Sequence, residues 1–486
     1  MLCITSFASI ANAKTIYVNS TTGSDSNSGL TWETALKSIP YALTVTSPSG
    51  DNLWIAGGTY VIPGTSTFTQ GNGTGMYGGF SGNEAYLSSR PNSDLDGNGI
   101  VEPWEFTNAT VLTFNVTDKS AITFTGAAFN GFTLSASATL NDNQSACVYT
   151  MNDWTNFVNN TIKNNHLTFS VNTDHGGYYP FFKASGTVNN CLFEKNTVTV
   201  TATQFAYICP FITVNASYHN NKGTKFLNSV IRNNTVTVDY STAASGINSY
   251  GARALIMNVQ GGMNPTTATG NKGGLPTKVA NCIIHNNEMI YIPGSAAGQL
   301  FDAATIVTGT SINYWDGNAN VKQPTTDSII NCTIANNKGT RINNCGINIM
   351  SDVSSYHYII NNVFYNNQRA IKGTNYQVSN MAQNNTQNAG LISNNFTDGE
   401  GLSNNSKQVV KQDNTLGTGS NLPDFKNPTT AIGTTSDNSS EVSNWTLTAG
   451  SYLIGKGIAT TQFTDKAGVA FTTSRAIGAY EYKGSN

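Results

Sequence analysis

The sequence predicts an all-β fold, a parallel β-solenoid with three strands per coil, on three observations. The pattern Asn-(Asn/Cys/Ser)-x-(Ile/Phe)-x-x-Asn opens at Asn159, Asn190, Asn228, Asn281, Asn331 and Asn361, at spacings of 31, 38, 53, 50 and 30 residues. A fixed unit of roughly thirty residues that tolerates insertions at particular places marks stacked coils joined by variable loops. Short alternating runs follow the closing asparagine: HLTF at 166–169, TVTV at 197–200 and 235–238, and EMIY at 288–291. A third run completes each unit: CVYT at 147–150, PFFK at 180–183, CPFIT at 209–213, ALIM at 254–257, FDAAT at 301–305 and CGINI at 345–349.

Within each copy Ile162, Phe193, Ile231, Ile284, Ile334 or Phe364 shares a face with the small residue two positions earlier. That is the period of two of a strand, and helical spacing does not fit. Asparagine tolerates the left-handed backbone of a tight bend, and its amide can bond the same residue one coil above and below. Asn165, Asn196, Asn234, Asn287, Asn337 and Asn367 are therefore expected to stack as a ladder at one corner.

Charged residues make up 11% of the 486, and the net charge is −2. So uncharged a chain could be disordered, but 38% hydrophobic content and the regular repeat point to stacked polar ladders. No run of Lys or Arg supplies the attraction that nucleic-acid binding needs, which sets that class aside.

The opening MLCITSFASIANAK is a short apolar stretch ending in small residues, with a cleavage site after Ala11-Asn12-Ala13. Residues 1–13 are read as a leader lacking the usual preceding basic residues, so the chain is expected to be secreted, periplasmic or at the cell surface. No apolar run reaches 18 residues, so no membrane span is expected. Six cysteines would then remain. Cys191, Cys282 and Cys332 share one inward row, and Cys147, Cys209 and Cys345 open strands of the third run. Parallel neighbours in a row point the same way, so all six are expected to be free.

Residues 94–105, DLDGNGIVEPWE, fit the twelve-residue calcium loop of an EF-hand. Asp94, Asp96 and Asn98 stand at positions 1, 3 and 5, Gly99 at 6, the Ile100 carbonyl at 7, and Glu105 at 12. Alternating oxygens wrap a hard cation, the glycine permits the bend, and the last carboxylate closes the site; Glu102 at position 9 would act through water. A structural calcium is the expected cofactor, against the alternative of a chance acidic turn.

On its repeat the chain resembles the right-handed parallel β-helix proteins of the pectate-lyase-like superfamily, in particular the secreted polysaccharide-associated members of Bacteroidetes. The resemblance extends to TIYVNSTTGSDSNSGLTWETALKSIPYAL and LWIAGGTYV within 15–63, to MYGGFSGNEAYLSSRP at 76–91, and to WTLTAGSYLIGKGIA with AGVAFTTSRAIGAYEY near the C-terminus. It implies an N-terminal cap with first strands over 14–107, the β-helix over 108–400, and a C-terminal cap over 401–486 that closes the upper end. Trp32, Ala35, Leu36, Ile39 and Leu43 recur at near-helical spacing, with Pro40 expected to kink or split that helix.

The family's strand order makes CVYT, PFFK and ALIM the first sheet, along which related enzymes hold substrate. Loops 258–278 and 307–327 then flank the groove. Lys183 and Arg253 are the candidate bases for β-elimination beside a uronate carboxylate, and Tyr149, Asp302, Tyr314, Trp315 and Lys372 are candidate sugar contacts. The Asn-Thr-Asp and Asp-Asp motifs of the related hydrolases are missing, which disfavours hydrolysis. The expected protein is a monomer that engages polysaccharide, as a lyase or as a non-catalytic solenoid for glycan binding or adhesion. The fifth motif position, Lys163, Glu194, Arg232, His285, Ala335 and Tyr365, is expected to face outward, with Lys163, Glu194 and Arg232 read as an ordinary stabilising charge row against the alternative of an acid/base row.

Overall fold

The computed structural model describes residues 13–47, 50–62, 73–116, 122–142, 148–152, 154–171, 175–178, 181–203, 206–208, 211–215, 223–242, 254–260, 262–263, 274–292, 304–308, 313–315, 320–322, 326–339, 346–351, 356–369, 378–382, 390–398 and 410–484. Each central coil runs through four short strands. Thr187–Asn189, Leu192–Glu194, Thr197–Ala202 and Ile212–Asn215 make one coil. Thr224–Leu227, Val230–Arg232, Thr235–Asp239 and Ala254–Gln260 make the next.

Stacking in register groups these strands into three parallel sheets. A long sheet of 12 strands runs from Thr15–Val18 to Val410–Gln412, and a short sheet of 8 from Ile122–Phe124 to Val378–Ala382. Between them lies a sheet bent at the asparagine corner, to which each coil gives two arms such as Leu192–Glu194 and Thr197–Ala202. The chain is a right-handed parallel β-helix, the hand that parallel crossovers almost always take. The sequence reading lacks one strand per coil: the run just before each motif, such as TKFL at 224–227, belongs to the long sheet.

Two left-handed residues per coil make the corners. The opening asparagines Asn159, Asn190, Asn228, Asn281, Asn331 and Asn361 have φ between 50 and 58°. So do Asn164, Lys195, Asn233, Asn286, Asn336 and Asn366, at 51–56°. Bending and laddering are thus divided between neighbours, because the closing asparagine comes one residue after the second bend. Its side chain forms the expected ladder: Nδ2 of Asn165, Asn196, Asn234, Asn287 and Asn337 donates to Oδ1 of the next ladder residue at 2.8–2.9 Å.

Inside, Ile162, Phe193, Ile231, Ile284, Ile334 and Phe364 are fully buried, each contributing roughly 1.5–3 kcal/mol. Cys191, Cys282 and Cys332 are buried and free; Cys147, Cys209 and Cys345 lie outside the described residues.

The helix of the N-terminal region is shorter than its apolar spacing suggests. It spans Ile39–Val45, capped by the Ser38 side chain, with Pro40 in the first turn. There a proline's missing N–H has no helical partner to lose, so Pro40 starts the helix instead of kinking it. Trp32 and Ala35 precede it in irregular backbone and Leu36 in an isolated bridge to Val18.

In the C-terminal segment Val410–Gln412 and Thr415–Gly417 stack as a last partial coil on the upper end. The chain beyond them runs back along the outer face of the bent sheet, bonded coil by coil. Asn394 Nδ2 donates to the Lys456 carbonyl, Asn361 to Ile458, Asn336 to Thr429, Asn286 to Ala431 and Asn233 to Thr435. A second apolar core forms under this strap, in which Leu192, Val230, Ile283 and Val363 of the sheet meet Trp445, Leu453, Ile477 and Tyr480. No helix among the described residues is long and apolar enough to cross a membrane.

Candidate functional site

The strap changes the meaning of the fifth motif position. Glu194, Arg232, His285 and Ala335 point away from the coil interior yet are 6% exposed or less, because the strap and the 94–105 loop cover them. Arg232 is the junction. Its Nη2 lies 2.6 Å from Glu194 Oε2 and 2.9 Å from Asp96 Oδ2, and its Nη1 donates to the Glu441 carbonyl of the strap. Burial opposes the charge on Arg232, but Glu194 and Asp96 outweigh it and raise the guanidinium above its ordinary range.

The loop itself brings together ligand oxygens of Asp94, Asp96 and Glu105, all within 4.8 Å of one another. Its folding follows from its own N–H groups. Asp94 accepts from Gly97 and Gly99, Asp96 from Asn98, and Glu105 from Leu95, Asp96 and Glu102. Gly99 has φ of +81°, the left-handed bend demanded at position 6. Burial, opposed by the Glu102 N–H and reinforced by the Glu102 carboxyl, holds Glu105 up at about 7. Burial likewise raises Asp96 and Glu102, against the pull of Arg232 and Lys466 respectively. Carboxylates crowded until they resist ionising are a donor set that a hard cation would relieve. The expected ligands Asp94, Asp96 and Glu105 are thus gathered, while Asn98 Oδ1 accepts from the Ile100 N–H at 2.7 Å. A cleft of about 170 Å³ opens beside the loop, lined by Asp96, Trp104, Glu105, Lys163 and Glu194 among others.

Glu102, at position 9, also reaches the strap. It accepts from Asn98 Nδ2 at 3.3 Å and faces Lys466 Nζ of the strap at 3.8 Å. Sequence reasoning missed this contact, since only the fold brings residue 466 to the loop.

The polysaccharide candidates fare unevenly. Lys183 lies half-buried on the outer face of the short sheet, in register with Thr150 and Thr213. Tyr149 is a correction. It is fully buried, with its hydroxyl donating to Asn165 Oδ1 at 2.8 Å, because the strand register turns it inward. Tyr314 and Trp315 belong to a hairpin of Asn313–Trp315 with Asn320–Lys322. Arg253, Asp302 and Lys372 lie outside the described residues.

No protein-family model matches the sequence, and no curated protein matches it. Two solved structures are similar in fold. One is titled "Crystal structure of pectate lyase Pel9A", at 16% identity and a TM-score of 0.36, covering 98% of each chain. The other is titled "Rhamnogalacturonan lyase", at 13% identity and a TM-score of 0.28, covering 84% of this chain and 90% of that one.

Proposed function

We propose that this is an exported β-helix protein that holds an extended polysaccharide along its short sheet, with calcium in the 94–105 loop as a structural ion. The observation that carries the reading is where the chain spends its extra residues. The strands His175–Tyr178 and Ala206–Ile208 pair on the side where the chain enters the short sheet. The hairpins Gly262–Met263 with Gly274–Leu275, and Asn313–Trp315 with Asn320–Lys322, rise where it leaves. A sheet bordered on both edges by such insertions is a trough suited to a long ligand. On the bent sheet the strap covers the outward residues Glu194, Arg232, His285 and Ala335 instead.

Asp94, Asp96, Asn98, the Ile100 carbonyl and Glu105 would hold the calcium, which supplies charge neutralisation at the loop. Lys183 favours a second reading, because it stands on the trough's outer face. There an amine could take the proton beside a uronate carboxylate while the C4–O4 bond breaks and a C4=C5 double bond forms. The leader-like residues 1–13 support export.

The test is binding and turnover on pectins, alginate and glycosaminoglycans with calcium present. Binding supports the reading, and no binding to any of them retires it for these substrates. Growth of near-ultraviolet absorbance that Lys183→Ala or Arg253→Ala abolishes adds the lyase. Binding without absorbance change leaves a non-catalytic glycan binder.

A further inference from the structure

The outer face of the long sheet carries two cations that no carboxylate neutralises. Strand register sets Thr187, Lys225, Lys278, Ser328, Tyr358 and Leu391 in one row across successive coils. The row faces outward, because the next residue of each strand, Phe226, Val279 and Ile359 among them, is buried in the core. Lys225 and Lys278 are therefore direct neighbours on adjacent strands, a like-charge pairing that costs a sheet stability. The ion pairs among the described residues include neither lysine. The Lys278 ammonium donates instead to the Thr461 hydroxyl at 2.7 Å. Burial, and then Lys225, hold Lys278 below its ordinary range.

The strap gives this row a wall. Its Ile458 and Thr464 carbonyls accept from Asn361 and Asn281, so the segment between them follows the corner of the long sheet over the coils of Asn361, Asn331 and Asn281. Thr461 reaches Lys278 from this wall, and Phe463, two residues on, is 79% exposed. Tyr356 and Tyr358, on the outer face of one strand, are each 37% exposed. Together they form a shelf along the helix axis, with amines toward one end and aromatic rings toward the other. At about 4.8 Å per coil, the three steps from Lys225 to Tyr358 span roughly 14 Å.

We propose that this shelf binds a chain of uronate residues, as a second site apart from the trough on the short sheet. Two adjacent amines without a carboxylate call for an anion, and the exposed tyrosines call for a ligand with a flat apolar face. A uronate supplies both, a carboxylate for an amine and a ring face for an aromatic, and a polymer repeats them along the row. The backbone groups of the row are already bonded to the strands on either side, so a peptide finds no open edge to extend.

Titration of the full chain with de-esterified oligogalacturonate, with chelator present, tests the shelf. Binding should weaken as salt rises, and the methyl-esterified oligomer should bind about tenfold less tightly or worse. The double variant Lys225→Gln with Lys278→Gln should lose about tenfold or more at this site, and Tyr358→Ala should weaken it as well. The double variant should melt no lower than wild type, since it removes a like-charge pair, so its lost binding is not lost folding. If the trough also binds the oligomer, the double variant loses one of two sites and Lys183→Ala weakens the other, so the two readings fail separately. Unchanged binding in the double variant overturns the proposal, as does wild-type protein that binds no oligogalacturonate or binds only sulfated glycans. A dimer of the wild type that the double variant dissolves overturns it in favour of an interface between copies.

Discussion

The coil interior and the seam under the strap are both closed to water, yet they bury polar groups in opposite ways. The ladder of the interior uses neutral amides: Asn234 and Asn287 each donate and accept along it, fully buried, with no charge to desolvate. The seam uses ions, with Arg232, Glu194, Glu102 and Lys466 buried and Asp96 half-buried beside them. A ladder amide repeats indefinitely because each residue presents the same donor and acceptor to the next coil. A buried ion is tolerated only where a specific partner reaches it, so the seam is tied to one place and one docked segment.

Removing a seam ion should be the most damaging change. Arg232→Met leaves the buried Glu194 and half-buried Asp96 carboxylates without their shared cation, at a cost of about 3–5 kcal/mol in chemical denaturation. Adding Glu194→Leu should recover part of the loss, since it removes one stranded charge. No recovery would mean that Arg232 acts through packing alone.

A ladder deletion should cost somewhat less. Asn287→Ala removes the acceptor of the buried Asn234 backbone N–H and the side-chain donor to the Ile231 carbonyl, while the residue 287 N–H still reaches Asn337 Oδ1. The expected loss is about 2–4 kcal/mol, independent of salt, whereas the Arg232 effect should change with salt. Equal salt dependence in the two variants would erase the distinction drawn here.

The two regions should also differ in response to pH. Glu105, held up at about 7, binds its proton more tightly folded than unfolded. Its stabilising contribution is complete below the ordinary carboxylate range and is lost as the pH rises through about 7. His285 and His357 are pushed down to about 3 and 4 by burial, so they cost stability only below their ordinary 6.5. With chelator present, this term should therefore lower stability as pH rises from the ordinary 4.5 to about 7 and level off above it. The slope should be no steeper than about 1.4 kcal/mol per unit for one proton, and between 6.5 and 7 the histidines add nothing. Calcium should flatten the slope by favouring the carboxylate, and so should Glu105→Gln. An unchanged slope in Glu105→Gln would remove this residue from the account.

Much of the interior was legible because its rule is local and repeats. An asparagine just after the second bend and Ile or Phe three residues before it recur in each of the six copies, so position alone gives the ladder and the inward face. The seam was not legible from the same residues. Glu194 and Arg232 read as an exposed charge row, since nothing near them in sequence announces the segment around Trp445 and Tyr480 that covers them. The 94–105 ligands were visible as a motif, but the pairing of Glu102 with Lys466 joins residues too distant for any pattern. Tyr149 failed for a third reason: one residue of register decides between core and groove, and CVYT does not specify it.

The smallest effect is the one that tests the ladder rule most closely. Cys332 stands in a second inward row, where Asn362, Asn395 and Asn414 already form a ladder with Nδ2 to Oδ1 distances of 2.9 Å. The Cys332 N–H donates to Asn362 Oδ1 at 2.9 Å, as the backbone of a ladder asparagine would. Asn362 also sends its Nδ2 to the Ile329 carbonyl on the coil below, and Ile329 is in register with Val279 one coil further down. Cys332→Asn should therefore find both acceptors waiting, Asn362 Oδ1 above and the Val279 carbonyl below. The interior should accept a new buried amide at a change of less than about 1 kcal/mol of either sign, where an unpartnered one would cost about 1–3. Cys332→Asp, of the same shape, cannot donate to either oxygen when ionised and should destabilise strongly at neutral pH. If the two variants lose equal stability, the row is held by size and not by its hydrogen bonds.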